Sequence, residues 1–448
     1  MLINFETENF YSFYDSSILS MEKGKRLRKF PENIHKINKT KNKQNIDLLK
    51  TAMIFGPNAS GKSNFIKALQ HMKFMVLNSP GKFTDKLPYR GFSFKESREG
   101  KKDSTIFSIE FISNNIQYLY SFEYNREIIL KESLSYISGN DYVVYFDRTS
   151  EGFTKNNNNL IQFEKYLRKN VLFLYLLQNF NDEHSKNIID WFANQLMIIN
   201  KDDTVDLQRI IDQNIKIIEE DFFREKLLSF LRLADLNIVD IQTEEEKIEV
   251  PEKIRKVYEL LLDDEAIQNE LPTVAKNFYT VYKSYNLNGK YTGMRRIPLS
   301  MDSSGTQKLI SIAVLLLSSL YKNKVLVIDK FDDSFHLQIS VALLKLFNSN
   351  SFECQFILTS HELELMDCGM RKDQVYFVEK EFNGESELYS LFDFKDSKDK
   401  SRNDITYGKR YMEGKYGAIP NVHSDRLIDL LNETTKDSVL NYIEKGHK

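Results

Sequence analysis

Gly56-Pro57-Asn58-Ala59-Ser60-Gly61-Lys62-Ser63 meets the pattern GxxxxGK[ST] at every specified position. Before it stands Thr51-Ala52-Met53-Ile54-Phe55, with the composition of a buried strand. After it, apolar residues recur at helical spacing from Ser63 to about Leu77. Strand, glycine-bearing loop and helix in that order form a phosphate cradle, because glycines let backbone N–H groups and the helix N-terminus face phosphate oxygens. On this reading Gly56, Asn58, Ala59, Ser60, Gly61, Lys62, Ser63 and Asn64 bind ATP. Lys62 reaches the β and γ oxygens and Ser63 ligates Mg2+.

Such a loop needs a second magnesium oxygen at the end of a neighbouring apolar strand. Val325-Leu326-Val327-Ile328-Asp329 supplies it, so Asp329 joins Ser63 as an expected metal ligand. Ser303, Ser304, Gly305 and Gln307 open an apolar helix about twenty residues upstream of that strand. Taken alone, serine and glycine there would be a helix cap. Thr359-Ser360-His361 follows a further apolar strand, Gln355 to Leu358.

The surrounding sequence sets the class. With 448 residues, 41% hydrophobic and 28% charged, the chain suits a globular protein of two or three lobes. The 62 Lys and Arg balance 64 Asp and Glu, which argues against coating nucleic acid or anionic membrane by bulk charge. The longest apolar stretches, Val171 to Leu177 and Ile312 to Leu317, fall far short of the about 18 residues a membrane span requires. No membrane partner is expected. The opening MLINFETENF lacks a basic region followed by an apolar one, so the chain is expected in the cytoplasm. Cys354 and Cys368, without CxxC or histidine-rich spacing, read as reduced thiols and not as zinc ligands.

Residues 2–20 read as two short strands around a turn at Asp15-Ser16-Ser17. Residues 22–43 carry nine Lys/Arg and two Glu and read as a loop, with a phosphate-backbone patch as the sharper alternative. Alternation in residues 104–146 predicts an antiparallel meander. Helical periodicity runs through 160–235 and again around 252–271, before a polar strand pair around 278–291. Helix 306–321, strand 325–328, helix 337–347 and strand 355–358 then alternate as parallel crossovers require.

Together these motifs resemble the ABC-type ATPases. Ser303-Ser304-Gly305-Thr306-Gln307-Lys308 is similar to their LSGGQ signature, and His361 takes the place of their switch histidine. Glu8 to Phe13, the loop GPNASGKSN, Asp332-Asp333-Ser334 with His336, and Tyr407 to Pro420 narrow the resemblance to the bacterial RloA-like and abortive-infection ATPases, relatives of the OLD, RecF and SMC-type proteins. The resemblance implies an α/β ABC-type head, a mixed sheet with an antiparallel meander, carrying a helical insertion. Its parts would be 1–150 and 291–448 as head, the latter with a tail, and 151–290 as the mainly helical insertion. It also implies a homodimer or higher homo-oligomer with ATP sandwiched between one subunit's phosphate loop and the other's Ser303, Ser304, Gly305 and Gln307. Asn9 and Phe10 come near the nucleotide by the same resemblance, against an ordinary core-packing role. No glutamine suits the Q-loop.

One position departs from the family. Where ABC-type ATPases carry the glutamate that orients the attacking water, this chain has Lys330. A protonated lysine cannot be that base, although its charge would favour bound ATP. A slow switch, an engineered trap, and a substitute catalytic group among Asp332, Asp333 and His361 all stay open, as does a Lys330 that simply pairs with a carboxylate. Only 87 residues follow His361, and Asp393, Asp396 and Asp399 are interleaved with lysines, so a nuclease on this chain is not expected. A separately encoded nuclease or toxin is the expected effector. The alternatives are a RecF-like repair ATPase acting on DNA through residues 22–43, and a non-hydrolysing structural protein.

Overall fold

The computed structural model describes residues 1–37, 46–95, 103–139, 141–156, 158–199, 218–234, 236–247, 274–319, 323–349, 353–394, 406–419 and 424–433, with residues 210 and 214. The chain opens with β1 (Leu2–Glu8), β2 (Ser17–Ser20), β3 (Ile34–Ile37) and β4 (Ile46–Leu49). β5 (Thr51–Phe55) leads into α1 (Lys62–Leu77). Five strands follow: β6 (Thr105–Ser113), β7 (Ile116–Tyr124), β8 (Ile129–Ser138), β9 (Asp141–Thr149) and β10 (Gly152–Asn156). Next come α2 (Phe173–Gln178), α3 (Glu183–Asp190), β11 (Leu196–Ile199), α4 (Asp221–Leu233), β12 (Asp240–Lys247), β13 (Val274–Tyr285) and β14 (Tyr291–Pro298). The last part holds α5 (Ser304–Ser319), β15 (Val325–Ile328), α6 (Leu337–Phe347), β16 (Gln355–Thr359), β17 (Val375–Lys380), β18 (Ser386–Ser390), α7 (Tyr407–Met412) and α8 (Ser424–Glu433).

Two large sheets result. One is antiparallel, in the order β10-β9-β8-β7-β6-β1-β2. The other, β11-β15-β16-β5-β17-β18, is parallel except for β18. Its strands are apolar on both faces, as a sheet covered on both sides requires. Ala52, Ile54, Val325, Val327, Ile357 and Val378 face one core together with Phe65, Leu69 and Met72 of α1 and with Phe5, Phe107 and Phe111 of the antiparallel sheet. Their neighbours Met53, Phe55, Leu326, Ile328, Phe356, Leu358 and Phe377 face a second core, built on Leu309, Ala313 and Leu316 of α5 and Leu343 and Leu344 of α6. The period of two along each strand sorts the residues between the two cores. This mixed sheet with its antiparallel meander is the architecture expected.

Of the 151–290 stretch, expected to be mainly helical, the described residues contribute β10 to the antiparallel sheet and β11 to the parallel one, along with α2, α3, α4, β12 and β13. β11 lies inside the run whose periodicity predicts helix. Its four residues pair in register with Val325 to Ile328, and that pairing, a tertiary contact, overrides the local pattern. The start of α2 is tied to the meander by Glu132, a fully buried side chain on β8. Its carboxylate accepts from Arg148 Nε at 2.8 Å, Tyr120 OH at 2.9 Å, and the N–H groups of Phe173 at 2.7 Å and Leu174 at 3.0 Å.

Residues 22–43, expected to be a loop, contain β3, which pairs antiparallel with β4. Lys23 binds Asp47 at 2.7 Å there. Lys39, Lys41 and Lys43 of the basic stretch lie outside the described residues, as do the helical stretch 252–271 and Asp396 and Asp399. Of the 407–420 segment, Tyr407–Met412 form α7, whose first amides, Tyr407 N–H and Gly408 N–H, donate to the Asp367 carboxylate at 2.6 and 3.1 Å, and Pro420 lies outside the described residues. Tyr411 and Tyr416 stack on Phe377 at 5.3 and 5.7 Å. Among the described residues no helix is long and apolar enough to cross a membrane.

Candidate nucleotide site

The loop after β5 is held from outside. Gly56 has φ +151° and Gly61 φ +120°. A Cβ on Gly56 would lie 2.3 Å from the Val378 carbonyl oxygen, and one on Gly61 would lie 2.5 Å from Ser386 Oγ and 2.9 Å from Ser12 Oγ. Only glycine fits both positions. Ser386 Oγ donates to the Ser60 carbonyl at 2.6 Å, Ser386 N–H to the Ser12 carbonyl at 2.7 Å, and Asn64 Nδ2 to Ser12 Oγ at 2.9 Å. β18 and the β1–β2 turn therefore brace the loop, and Asn64 acts on that brace. Asn58 and Ala59 stand exposed at the tip, with Ala59 at φ 62°.

Lys62 begins α1 and is buried. Its ammonium donates to the Gly56 carbonyl at 2.6 Å and the Pro57 carbonyl at 2.9 Å. Burial pushes its pKa down to about 8, the charges of Asp329 and Asp332 work against that fall, and Lys330 adds to it. Ser60 Oγ is buried beside it with no hydrogen-bond partner. Ser63 sits half-buried in the first turn of α1, where no acidic residue offsets the free amides of the helix start.

β15 delivers Asp329, buried, to the same end of the sheet. Thr359 Oγ1, at the end of β16, donates to Asp329 Oδ1 at 2.5 Å and accepts from Lys330 N–H at 2.7 Å. Lys330 has φ 51°, a left-handed conformation costly for a side-chain-bearing residue, and the turn it makes sends Phe331 into the core. Lys308 Nζ of α5 secures the turn, donating to the carbonyls of Lys330 at 2.6 Å and Asp333 at 3.1 Å. Among the described residues no carboxylate lies within ion-pair range of Lys330.

Asp332 comes into the site through its side chain. Its Oδ2 accepts the N–H groups of His361 and Glu362, both at 3.1 Å, while Oδ1 is buried without a partner. Asp333 is tied in through its backbone, its N–H donating to the Lys330 carbonyl at 3.1 Å. His361 is exposed; partial desolvation and then the Lys62 cation lower its pKa, against the pull of Asp332. Lys62, Asp329, Lys330, Asp332 and His361 thus form one electrostatic group.

Ser303, Ser304, Gly305 and Gln307 gather elsewhere. Ser303 Oγ accepts from Thr306 N–H at 3.1 Å, capping α5, and Gln307 Nε2 donates to the Asp302 carbonyl at 2.8 Å. Ser304 Oγ meets Ser334 Oγ at 3.2 Å, and a Cβ on Gly305 would lie 2.5 Å from the Ser334 carbonyl oxygen. Among the described residues the hydrogen bonds of Ser303, Ser304 and Gln307 reach Ser334 and their own segment, not the phosphate loop. Phe10 packs in the first core against Phe107, and Asn9 spends its amide on Tyr89 OH at 3.0 Å and the Ser104 carbonyl at 2.7 Å.

Sequence reading placed Thr359, Lys308 and Ser12 inside motifs without giving any of them a role, and it passed over Ser386. Thr359 lies two residues before the singled-out His361, and a hydroxyl closing a strand beside Asp329 is a readable signal. The other three act through long-range contacts that spacing does not reveal.

The family described as "AAA domain, putative AbiEii toxin, Type IV TA system" matches residues 52–367, well over half of the chain. No curated protein matches. Similar solved structures include the SMC head domain from Thermotoga maritima, at 15% identity, covering 87% of this chain and 98% of that one with a TM-score of 0.38. An Smc head bound to the C-terminal winged-helix domain of ScpA is 12% identical, covers 87% of this chain and 97% of that one, and has a TM-score of 0.42. An Smc head with an extended coiled coil, bound to the C-terminal domain of ScpA derived from Pyrococcus furiosus, is 14% identical, covers 87% and 96%, and has a TM-score of 0.41. From strand β5 through the loop that follows β16, the chain belongs to the family described as AAA domain, putative AbiEii toxin, Type IV TA system.

Proposed function

We propose that the chain binds ATP with magnesium in its phosphate loop and serves as a nucleotide-dependent sensor or scaffold in a cytoplasmic anti-phage, abortive-infection system of the RloA-like kind, controlling a separately encoded nuclease or toxin. The observation that carries this reading is Lys62, a buried ammonium held on two loop carbonyls with Asp329 and Asp332 close enough to act on its charge.

The residues fit the ligand. The unpartnered oxygens of Ser60 and Asp332 are polar groups that burial without a partner makes costly, at about 1–3 kcal/mol each. Among the described residues no three His, Cys, Asp or Glu side chains are placed to hold a metal alone. Magnesium at a phosphate loop does not need them, since it takes one or two protein oxygens and completes its shell from phosphate and water. Ser63 and Asp329 would be those oxygens. Bound magnesium would neutralise charge on the phosphate oxygens. Lys62 would exchange its two carbonyl acceptors for phosphate, while Thr359 holds the Asp329 carboxylate in place. Ser303, Ser304, Gly305 and Gln307 open α5, and across a homodimer they would meet the nucleotide of the facing subunit.

Lys330 favours binding over turnover. Its cation is unpaired among the described residues and adds positive charge near Lys62, and while protonated it cannot take a proton from water. Asp332 and His361 would orient water in its stead. Residues after His361 include β17, β18 and α7.

The test is ATP binding and steady-state hydrolysis by the chain, Lys62→Ala and Lys330→Glu, with light scattering under each nucleotide. Lys62-dependent binding, ATP-dependent dimerisation, and hydrolysis that rises in Lys330→Glu are the expected results. A chain that binds no ATP and stays monomeric throughout would overturn the reading.

A further inference from the structure

β14 ends the three-stranded sheet β12-β13-β14 and pairs with β13 alone. Among the described residues no backbone hydrogen bond reaches its outer edge. Tyr291, Thr292, Met294, Arg295 and Arg296 are all exposed, so that edge faces solvent. A row of unpaired N–H and C=O groups of this kind is a template for another backbone. The sheet behind it is anchored, because Thr280 Oγ1 and Tyr282 OH of β13 donate to the Asp302 carboxylate at 2.5 and 2.8 Å, just before the start of α5. A fixed edge loses little freedom when a strand joins it.

The edge is cationic and partly apolar. From Lys283 to Arg296 the chain has four Lys/Arg and no Asp or Glu. Arg296 meets Glu244 at 3.0 Å, whereas among the described residues no carboxylate comes within ion-pair range of Lys283, Lys290 or Arg295. Register fixes the faces: Val281 lies opposite Arg296 and Lys283 opposite Met294, while Tyr282 lies opposite Arg295. Arg295 and Arg296 therefore flank the edge on opposite faces of the sheet, and Met294 shares the Arg296 face. Met294 is 53% exposed and Tyr291 51%, at positions where an edge built only to repel neighbours would carry charge.

We infer that β14 docks an extended acidic segment of another protein by strand addition, with carboxylates at two successive positions on Arg295 and Arg296 and an apolar residue beside Met294. A second copy of β14 is a poor occupant, since it brings a like-charged edge. Nucleic acid matches the charge but cannot complete a backbone ladder. It would also meet β12, two strands away at about 10 Å, which adds Asp240, Glu244, Glu245 and Glu246 to the same sheet. Those acids repel a polyphosphate strand, whereas two carboxylates set on the arginines suffice for a short segment.

The experiment is calorimetric titration of the full chain, without nucleotide, with the peptide Thr-Val-Glu-Glu-Val-Thr-Val-Thr, which in antiparallel addition places Glu-Glu-Val opposite Arg296, Arg295 and Met294. Controls are the same peptide with Lys-Lys for Glu-Glu, two versions N-methylated on alternate amides in either phase, and a single-stranded oligothymidylate. The expected result is saturable binding of the Glu-Glu peptide, about tenfold tighter than that of the Lys-Lys peptide. N-methylation in one phase alone should abolish it, because a strand turns only alternate N–H groups toward its neighbour. Arg295→Glu/Arg296→Glu should reverse the preference between the two peptides while the melting temperature holds, since both side chains are exposed. Equal binding of the two peptides, a preference unchanged in the double variant, the same effect from both phases of N-methylation, tighter binding of the oligothymidylate, or no saturable peptide binding would each overturn the inference. Every readout is independent of ATP, so failure here and failure of the proposed function are separable.

Discussion

Thr359 sits between the two consecutive residues on which the site turns, giving its hydroxyl hydrogen to Asp329 Oδ1 at 2.5 Å and taking the N–H of Lys330 at 2.7 Å. One hydroxyl therefore orients the carboxylate and fixes the left-handed turn behind it. Thr359→Val keeps the shape and removes both bonds, leaving a buried carboxylate and a backbone N–H unpaired. The expected loss is about 2 kcal/mol of stability by urea unfolding, more than the usual cost of one neutral hydrogen bond. A variant as stable as the parent would mean that water replaces the hydroxyl.

Lys62 makes the chain sensitive to alkaline pH. Its folded-state pKa, pushed down to about 8, lies below its ordinary 10.5, so the unfolded chain holds this proton more tightly. Stability should accordingly rise between about pH 8 and the ordinary lysine value, other groups aside, and Lys62→Met should flatten that rise. A polyphosphate ligand favours the charged lysine and reverses the sign: binding should weaken above pH 8 and draw in a proton there. Calorimetry in two buffers of different ionisation enthalpy reads that uptake directly.

Gly56→Ala should cost about 3 kcal/mol, from a φ of +151° and a Cβ 2.3 Å from a backbone oxygen of β17 that cannot move aside. Thermal melting checks it. Ala59→Gly, at a tip position with φ 62° and open surroundings, should instead be neutral or slightly stabilising.

Glu132→Ala should be among the most damaging single changes, at about 4 kcal/mol, because it strands the Arg148 guanidinium, the Tyr120 hydroxyl and two amides of α2 in the core. Urea unfolding should give this loss in full. Glu132→Gln keeps the shape but not the charge, and should fall between.

Asp367→Ala should cost about 1 kcal/mol by uncapping α7, with faster amide exchange confined to Tyr407 through Met412.

The parts of this molecule that sequence discloses are those with a local cause. The phosphate loop, β15 leading to Asp329, β16 and the meander each follow from a motif or a period of two. β11 does not, because Leu196 to Ile199 continue an apolar helical pattern and become a strand only by lying beside β15. The same holds at the site. Lys62, Asp329 and His361 occupy motif positions, whereas the side chain of Asp332 is distinguished from that of Asp333 only by the two amides that converge on it after β16. Glu132 would pass in sequence as one more polar residue on an alternating strand; its burial depends on α2, some forty residues later in the chain.

The position of β5 has a consequence for how the protein comes to be made. Its two neighbours in the parallel sheet are β16 and β17, drawn from residues 355–380, whereas strands β6 to β10 pair only with their successors or with β1. During synthesis the meander can close as it emerges, but β5, and the phosphate loop it carries, must wait for about three hundred more residues, at 5–20 residues per second, before either partner exists. For that interval a strand that is fully buried in the finished fold is without its sheet, and the nascent chain is the form most exposed to aggregation and to chaperones. A truncated message would therefore leave the phosphate-loop residues translated but without the parallel strands that flank β5.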